Sequence, residues 1–159
     1  MTSVSIEYVI LIPLLFTQVI IFPLVASMMA SNWQDSQTNI ELQDVSNHLA
    51  STIQQLYLTI NNDDILAGTV IQASTLPVTV GSYTYTATGL LSSPSDPDST
   101  RILTVTLTLQ EVGNTVTAAA VLGPNVQWIN STLRSNSGDA SIDVQKLSNN
   151  TLVFSFGGD

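Results

Sequence analysis

The sequence predicts an α+β protein: a long N-terminal helix, apolar and then amphipathic, followed by an antiparallel β-sandwich or barrel-like domain. Three observations carry this expectation. Residues 8–30 form a nearly unbroken apolar run. From residue 33 to residue 60, apolar side chains recur at spacings of three and four, the period of a helix with one buried stripe. Beyond residue 64 the period drops to two, over short segments divided by Gly, Pro, Asn and Ser, as in a sheet with one dry face and one wet face. Two domains are expected, a helical one over 1–62 and a β-rich one over 65–159.

The helix is read from Ser3 to Ile60. Between Tyr8 and Ala30 the polar side chains beyond Tyr8 are Thr17, Gln18 and Ser27. At ~1.5 Å per residue the run reaches roughly 34 Å, enough to cross the hydrocarbon core of a bilayer. It is apolar all round, so it must be covered on every side. Pro13 and Pro23 interrupt it. Each removes one backbone donor, freeing the carbonyls of Val9 and Val19, so local unwinding or a kink is expected at each ring. Thr17 and Ser27 stand four residues after the prolines, where hydroxyls help to re-satisfy freed carbonyls. Past Trp33, the residues Leu42, Val45, Leu49, Ile53, Leu56 and Ile60 make one apolar stripe between polar neighbours. Asn61-Asn62-Asp63-Asp64 ends the helix, because short polar side chains favour turns over helix interiors.

The strands follow. Thr75–Val80 and Tyr83–Thr88 flank Gly81-Ser82, a two-residue connection of the hairpin kind. Ile102–Leu109 places Leu103, Val105, Leu107 and Leu109 on one face and Thr104, Thr106 and Thr108 on the other. Further strands are expected over Val116–Leu122, Val126–Leu133, Ser141–Leu147 and Leu152–Phe156. Residues 92–99 read as an exposed loop.

Composition narrows the function classes. The chain has 159 residues and a net charge of −9, with Arg101, Arg134 and Lys146 as its only basic residues. No surface able to neutralise phosphates can form, which argues against nucleic-acid binding. Charged residues make up 9% of the chain, against roughly 25% in ordinary domains, so Ser, Thr, Asn and Gln must keep it wetted. Cysteine is absent, so disulfides and thiolate metal sites are excluded. His48, the one histidine, lies in the polar-rich helical stretch and reads as a surface side chain. No phosphate loop, metal-ligand spacing or nucleophile elbow is present. Asp63-Asp64 and the Asp96/Asp98 pair read as solvated loop carboxylates. An enzyme is therefore not expected, and no metal or cofactor is assigned. Asn130-Ser131-Thr132 and Asn149-Asn150-Thr151 are acceptor sequences for N-linked glycans, at Asn130 and Asn149.

Glu7 is the one charge at the mouth of the apolar run, where a carboxylate is costly unless paired or hydrated. Ser5-Ile6-Glu7-Tyr8, followed by an apolar helix, an amphipathic continuation and a β-rich domain, resembles the type IV pilin superfamily, which includes archaeal adhesion pilins and archaellins. The string is also similar to tight-adherence pilins and pseudopilins, where an Ile-Glu-Tyr unit opens the helix and a proline follows, as Pro13 does here. The resemblance covers about the first 60 residues. It implies a basic leader removed by a prepilin peptidase with the helix retained. No basic residue precedes the apolar run, so the leader is expected to be gone already, and aligning Glu7 with the family's glutamate places the first mature residue at Ser3.

The resemblance further implies a structural subunit of an extracellular type IV pilus-like filament for adhesion or surface attachment. Helices would form its core and β-domains its exterior. The partner would be the chain itself, in a helical homopolymer, with the membrane as host before assembly. Glu7, Pro13 and Pro23 would be the assembly residues; in such a bundle a lone carboxylate at the mouth of an uncharged helix is expected within hydrogen-bonding reach of a neighbour's terminal amine or of polar groups such as Ser3, Ser5 or Thr17, fixing axial register. The competing expectation is a monomeric membrane-anchored surface binding domain or a minor pseudopilin.

Overall fold

The computed structural model describes residues 3–94, 96 and 98–158, with side chains described from residue 11 onward. Helix α1 spans Ser3–Ile60 and is followed by eight strands: β1 Gly68–Ala73, β2 Tyr85–Leu91, β3 Arg101–Leu109, β4 Thr115–Leu122, β5 Val126–Trp128, β6 Thr132–Arg134, β7 Ser141–Lys146 and β8 Leu152–Gly157. The fold is α+β, as expected.

The helix continues without a break through Pro13 and Pro23. Local unwinding is not seen, because each ring removes a single hydrogen bond and the two lie far enough apart for the flanking ladder to hold the chain in register. The Thr17 hydroxyl donates to the carbonyl of Pro13 at 2.7 Å. It therefore turns back on its own helix and answers the carbonyl of Pro13 itself rather than that of Val9. At the C-terminus, Asn61 N–H donates to Tyr57 O, and the Asn62 side chain accepts from Asp64 N–H at 3.1 Å. The Asn/Asp cluster is thus a turn that closes the helix.

The strands form two four-stranded sheets, ordered β1-β7-β8-β5 and β4-β3-β2-β6. The alternation of β3 is realised in full: Leu103, Val105, Leu107 and Leu109 are buried, with the intervening threonines on the opposite face. Facing them are Phe154, Val144, Leu152 and Ile142 of the other sheet. Leu42, Leu49 and Ile53 of α1 belong to the same core, with exposures of 0%, 1% and 0%. The second half of the helix is therefore a structural part of the β-domain. The chain divides into compact units at Gln37/Thr38, inside the helix, whereas the sequence places the division after it. A helix end marks where hydrogen bonding stops; a unit boundary marks where burial starts.

Three strand expectations change. Thr75–Val80 is not a strand, because Pro77 offers no N–H to a ladder. Only Val80 and Tyr83 pair, in a bridge closed by two hydrogen bonds of 2.9 and 3.1 Å around Gly81, which has φ +60. The first strand is instead Gly68–Ala73, which has no alternation to reveal it. The expected strand Val126–Leu133 splits into β5 and β6, one in each sheet. Ser131 makes the corner between them: its hydroxyl donates to Ile129 O at 3.0 Å and accepts from Phe156 N–H at 2.7 Å. As a result β5 joins β8 in parallel, within a sheet system otherwise antiparallel.

Candidate assembly surface

The first compact unit ends at Gln37; its described residues lie in one helix, and from Leu11 to Gln37 every one is exposed. From Leu11 to Met29 its large apolar side chains are 47–77% exposed, with Val25 at the low end and Phe22 at the high end. The helix is long and apolar enough to cross a membrane, and none of its most apolar stretch is buried within the chain. Leu, Ile, Val, Phe and Met occupy all sides of it, as the all-round apolar sequence dictates. A shallow furrow between its side-chain rows is bordered by Thr17, Gln18, Ile21, Phe22 and Val25. Burying each such side chain contributes roughly 1.5–3 kcal/mol relative to water. A helix of this kind is therefore stable in lipid or against other apolar helices, and not in solvent.

The assembly residues expected from the sequence sit as follows. Pro13 and Pro23 lie within this exposed stretch. Glu7 lies in the first turns of α1, and its side chain falls outside the described residues, as do its surroundings.

Among the described residues of the second unit, no cluster of His, Asp and Glu is placed to hold a metal ion. His48 is exposed on α1. Asp96 accepts from Asp98 N–H at 3.1 Å within its own turn, and Asp63 lies 3.4 Å from the Asn150 amide. Asp96 thus serves its own turn, and Asp63 meets the β7–β8 turn from the end of the helix. Asn130 and Asn149 are both exposed, the first in the corner between β5 and β6, the second in the β7–β8 turn. They differ in freedom: Asn149 accepts from Thr151 N–H at 3.2 Å, whereas Asn130 stands in an open segment.

The sequence did not reveal the role of Lys146. It is 5% exposed, and its ammonium donates to the carbonyls of Ile60 at 3.0 Å and Asn62 at 2.7 Å. It thereby caps the C-terminus of α1 from a strand 86 positions away. The only available signal was that a chain with three basic residues places one in an apolar strand pattern. Polar bonds tie other parts of the helix down as well. Gln43 donates to Thr117 O at 3.0 Å, the Glu41 carboxylate accepts from Gly81 N–H at 3.2 Å, and Asn125 donates to the Asn61 side chain at 2.8 Å.

Comparison with protein-family models, with curated proteins and with solved structures finds no match.

Proposed function

We propose that the chain is a pilin-like structural subunit of an extracellular filament of the type IV pilus kind, serving adhesion or surface attachment. One observation carries the reading: a single uninterrupted helix is apolar and wholly uncovered over its first part, yet its second part supplies the core of a folded β-domain. A membrane anchor needs no such construction, since a flexible linker would serve. A filament subunit uses both parts, the first packed among the helices of other copies and the second closing the core of its own domain.

In this reading the helix resides in the bilayer before assembly and then moves into a bundle of identical helices. Lipid tails are as apolar as leucine, so the transfer is driven by close packing rather than by escape from water. Once the bundle is surrounded by water, release of a subunit exposes its whole apolar surface. The β-domains lie outside, uncharged over much of their Thr-rich faces, with Asn130 and Asn149 open to N-linked glycans. The N-terminal resemblance to type IV pilins supports the same assignment, with Glu7 setting register. The role is structural rather than enzymatic, and what favours this is the lack of any nucleophile, base or metal cluster among the motifs.

Electron microscopy of material sheared from the cell surface tests it. Filaments containing this 17.0 kDa chain are expected. If the chain instead stays in the membrane fraction and is extracted by detergent as a monomer, the reading gives way to an anchored surface domain.

A further inference from the structure

Strand β1 is anomalous. All six of its residues are exposed, including Val70 and Ile71, which are adjacent in sequence and so point to opposite faces of the sheet. Leu66, just before it, is 86% exposed. The strand is held by its ladder to β7; Val70, opposite the buried Val144, is the less exposed of the two at 40%, and Ile71, opposite Asp143, stands on the outer face at 68%. It is also a bare edge. Among the described residues, the other three sheet edges are short or guarded: β5 and β6 have three residues each, and the β4 edge is met by Gln43, which donates to Thr117 O. β1 carries no charge, proline or bulge to keep another chain away.

A second uncharged apolar patch lies on the outer face of the other sheet. Ile102 pairs directly with Val121, and Leu90, opposite Thr104, is their diagonal neighbour on that face. Their exposures are 46%, 50% and 72% in the order Ile102, Val121, Leu90. We infer that, in the filament, β1 of one copy seats against the Leu90, Ile102 and Val121 patch of a neighbouring copy. The inference rests on the filament reading and specifies how its β-domains meet.

Three arguments select a second copy as the occupant. The two patches differ and belong to different sheets, so a contact between them is head-to-tail, the type that propagates into a helical filament and does not close as a two-fold dimer. Three large side chains on one sheet and those of β1, divided between its two faces, fall far short of the ~1,200 Å² that a stable specific interface buries. A freely diffusing partner would not stay, whereas a copy already held through its helix meets the patch at high effective concentration. Copies of net charge −9 also repel, and they can approach only where charge is absent. No charged residue occurs between Asp64 and Asp96. Asp143, paired with Ile71, is the charge nearest to β1 on its outer face, and the Ser141 hydroxyl already donates to it at 2.8 Å.

The absence of cysteine makes the test clean. The full-length chain is produced in its own host as Ile71→Cys, Leu90→Cys and the double variant. Sheared surface material is treated with a short bifunctional maleimide and run on a denaturing gel. The double variant is expected to give a ladder at whole multiples of the monomer band seen without the maleimide, with most of the chain above that band, while each single variant stays monomeric. Filaments without a ladder overturn the inference and leave the filament reading standing. Dimers from Ile71→Cys alone mean edge-to-edge pairing of β1 and overturn it, as does an adduct of any other mass, which means a foreign partner. Absence of both filaments and ladder removes both readings.

Discussion

The ammonium of Lys146 donates to the Ile60 carbonyl at 3.0 Å, joining a strand near the chain's end to the last residue of its helix. The four terminal carbonyls of any helix lack internal partners, and the negative end of the helix dipole lies there. A buried cation with two carbonyl acceptors satisfies both needs. It also fixes the second half of α1 against the sheet that β7 belongs to.

Lys146→Met keeps the apolar stem and removes the donors and the charge. Residues 38–159 are expected to lose about 1.5–3 kcal/mol of stability, the range for hydrogen bonds to a charged group. Urea unfolding of this fragment checks the value, and a change within error would show that water replaces the amine at the helix end.

The fragment itself is a prediction. Residues 38–159 are expected to fold alone, because they contain the whole core, whereas residues 65–159 lack Leu42, Leu49 and Ile53 and are expected to aggregate or unfold. Circular dichroism and sedimentation of the two fragments decide this. A well-folded 65–159 would show that the helix only decorates the sandwich.

Gly89 faces Trp128 so closely that an added Cβ would sit 2.3 Å from the indole ring. That ring packs edge-on against Phe156, with centroids 4.9 Å apart. Gly89→Ala is expected to displace the indole and cost about 1–3 kcal/mol. In the 38–159 fragment Trp128 is the only tryptophan, so its emission reports the shift directly. An unchanged spectrum with unchanged stability would contradict the close packing.

Ser46 is fully buried in the helical part of the core, and its hydroxyl has no hydrogen-bond partner. Ser46→Ala removes an unsatisfied polar atom and improves helix propensity. A gain of about 1 kcal/mol is expected, seen as a rise in melting temperature. Destabilisation would mean that the hydroxyl has a partner in solution.

Burial pushes the Tyr85 hydroxyl up from 10.0 to about 12, and it donates to Pro77 O at 2.7 Å. The folded chain holds this proton to higher pH than the unfolded chain does. Its contribution, on the order of 2–3 kcal/mol, is complete below the unfolded value and is lost as pH rises from about 10 toward 12. Tyr85→Phe is expected to lose the hydrogen bond at neutral pH but to flatten the alkaline decline in stability. Parallel pH profiles for the two proteins would refute this.

Much of the architecture is local and was therefore legible. Helix α1 ends where its Asn/Asp cluster places the end, and the buried face of β3 is the one its alternation marks. The stripe through Leu42, Val45, Leu49, Ile53 and Ile60 is buried as its spacing requires. Of the candidate assembly surface, the apolar run and its prolines were readable for the same reason: hydropathy and ring chemistry belong to single residues. The competence of that run to enter a membrane follows from the sequence alone.

Tertiary structure decided whatever depended on distant partners. The pattern from Val126 to Leu133 is continuous in sequence, yet the Ser131 corner, held by Phe156 N–H, sends its two ends into different sheets, where Phe154 pairs with Trp128 and Thr88 with Thr132. β1 exists through its ladder to β7 and not through any periodicity of its own. Lys146 became a helix cap only when folding brought it to Ile60. Periodicity records which face of an element is dry; it holds no information about which edge meets which, since that is set by hydrogen-bond partners tens of residues away in the chain.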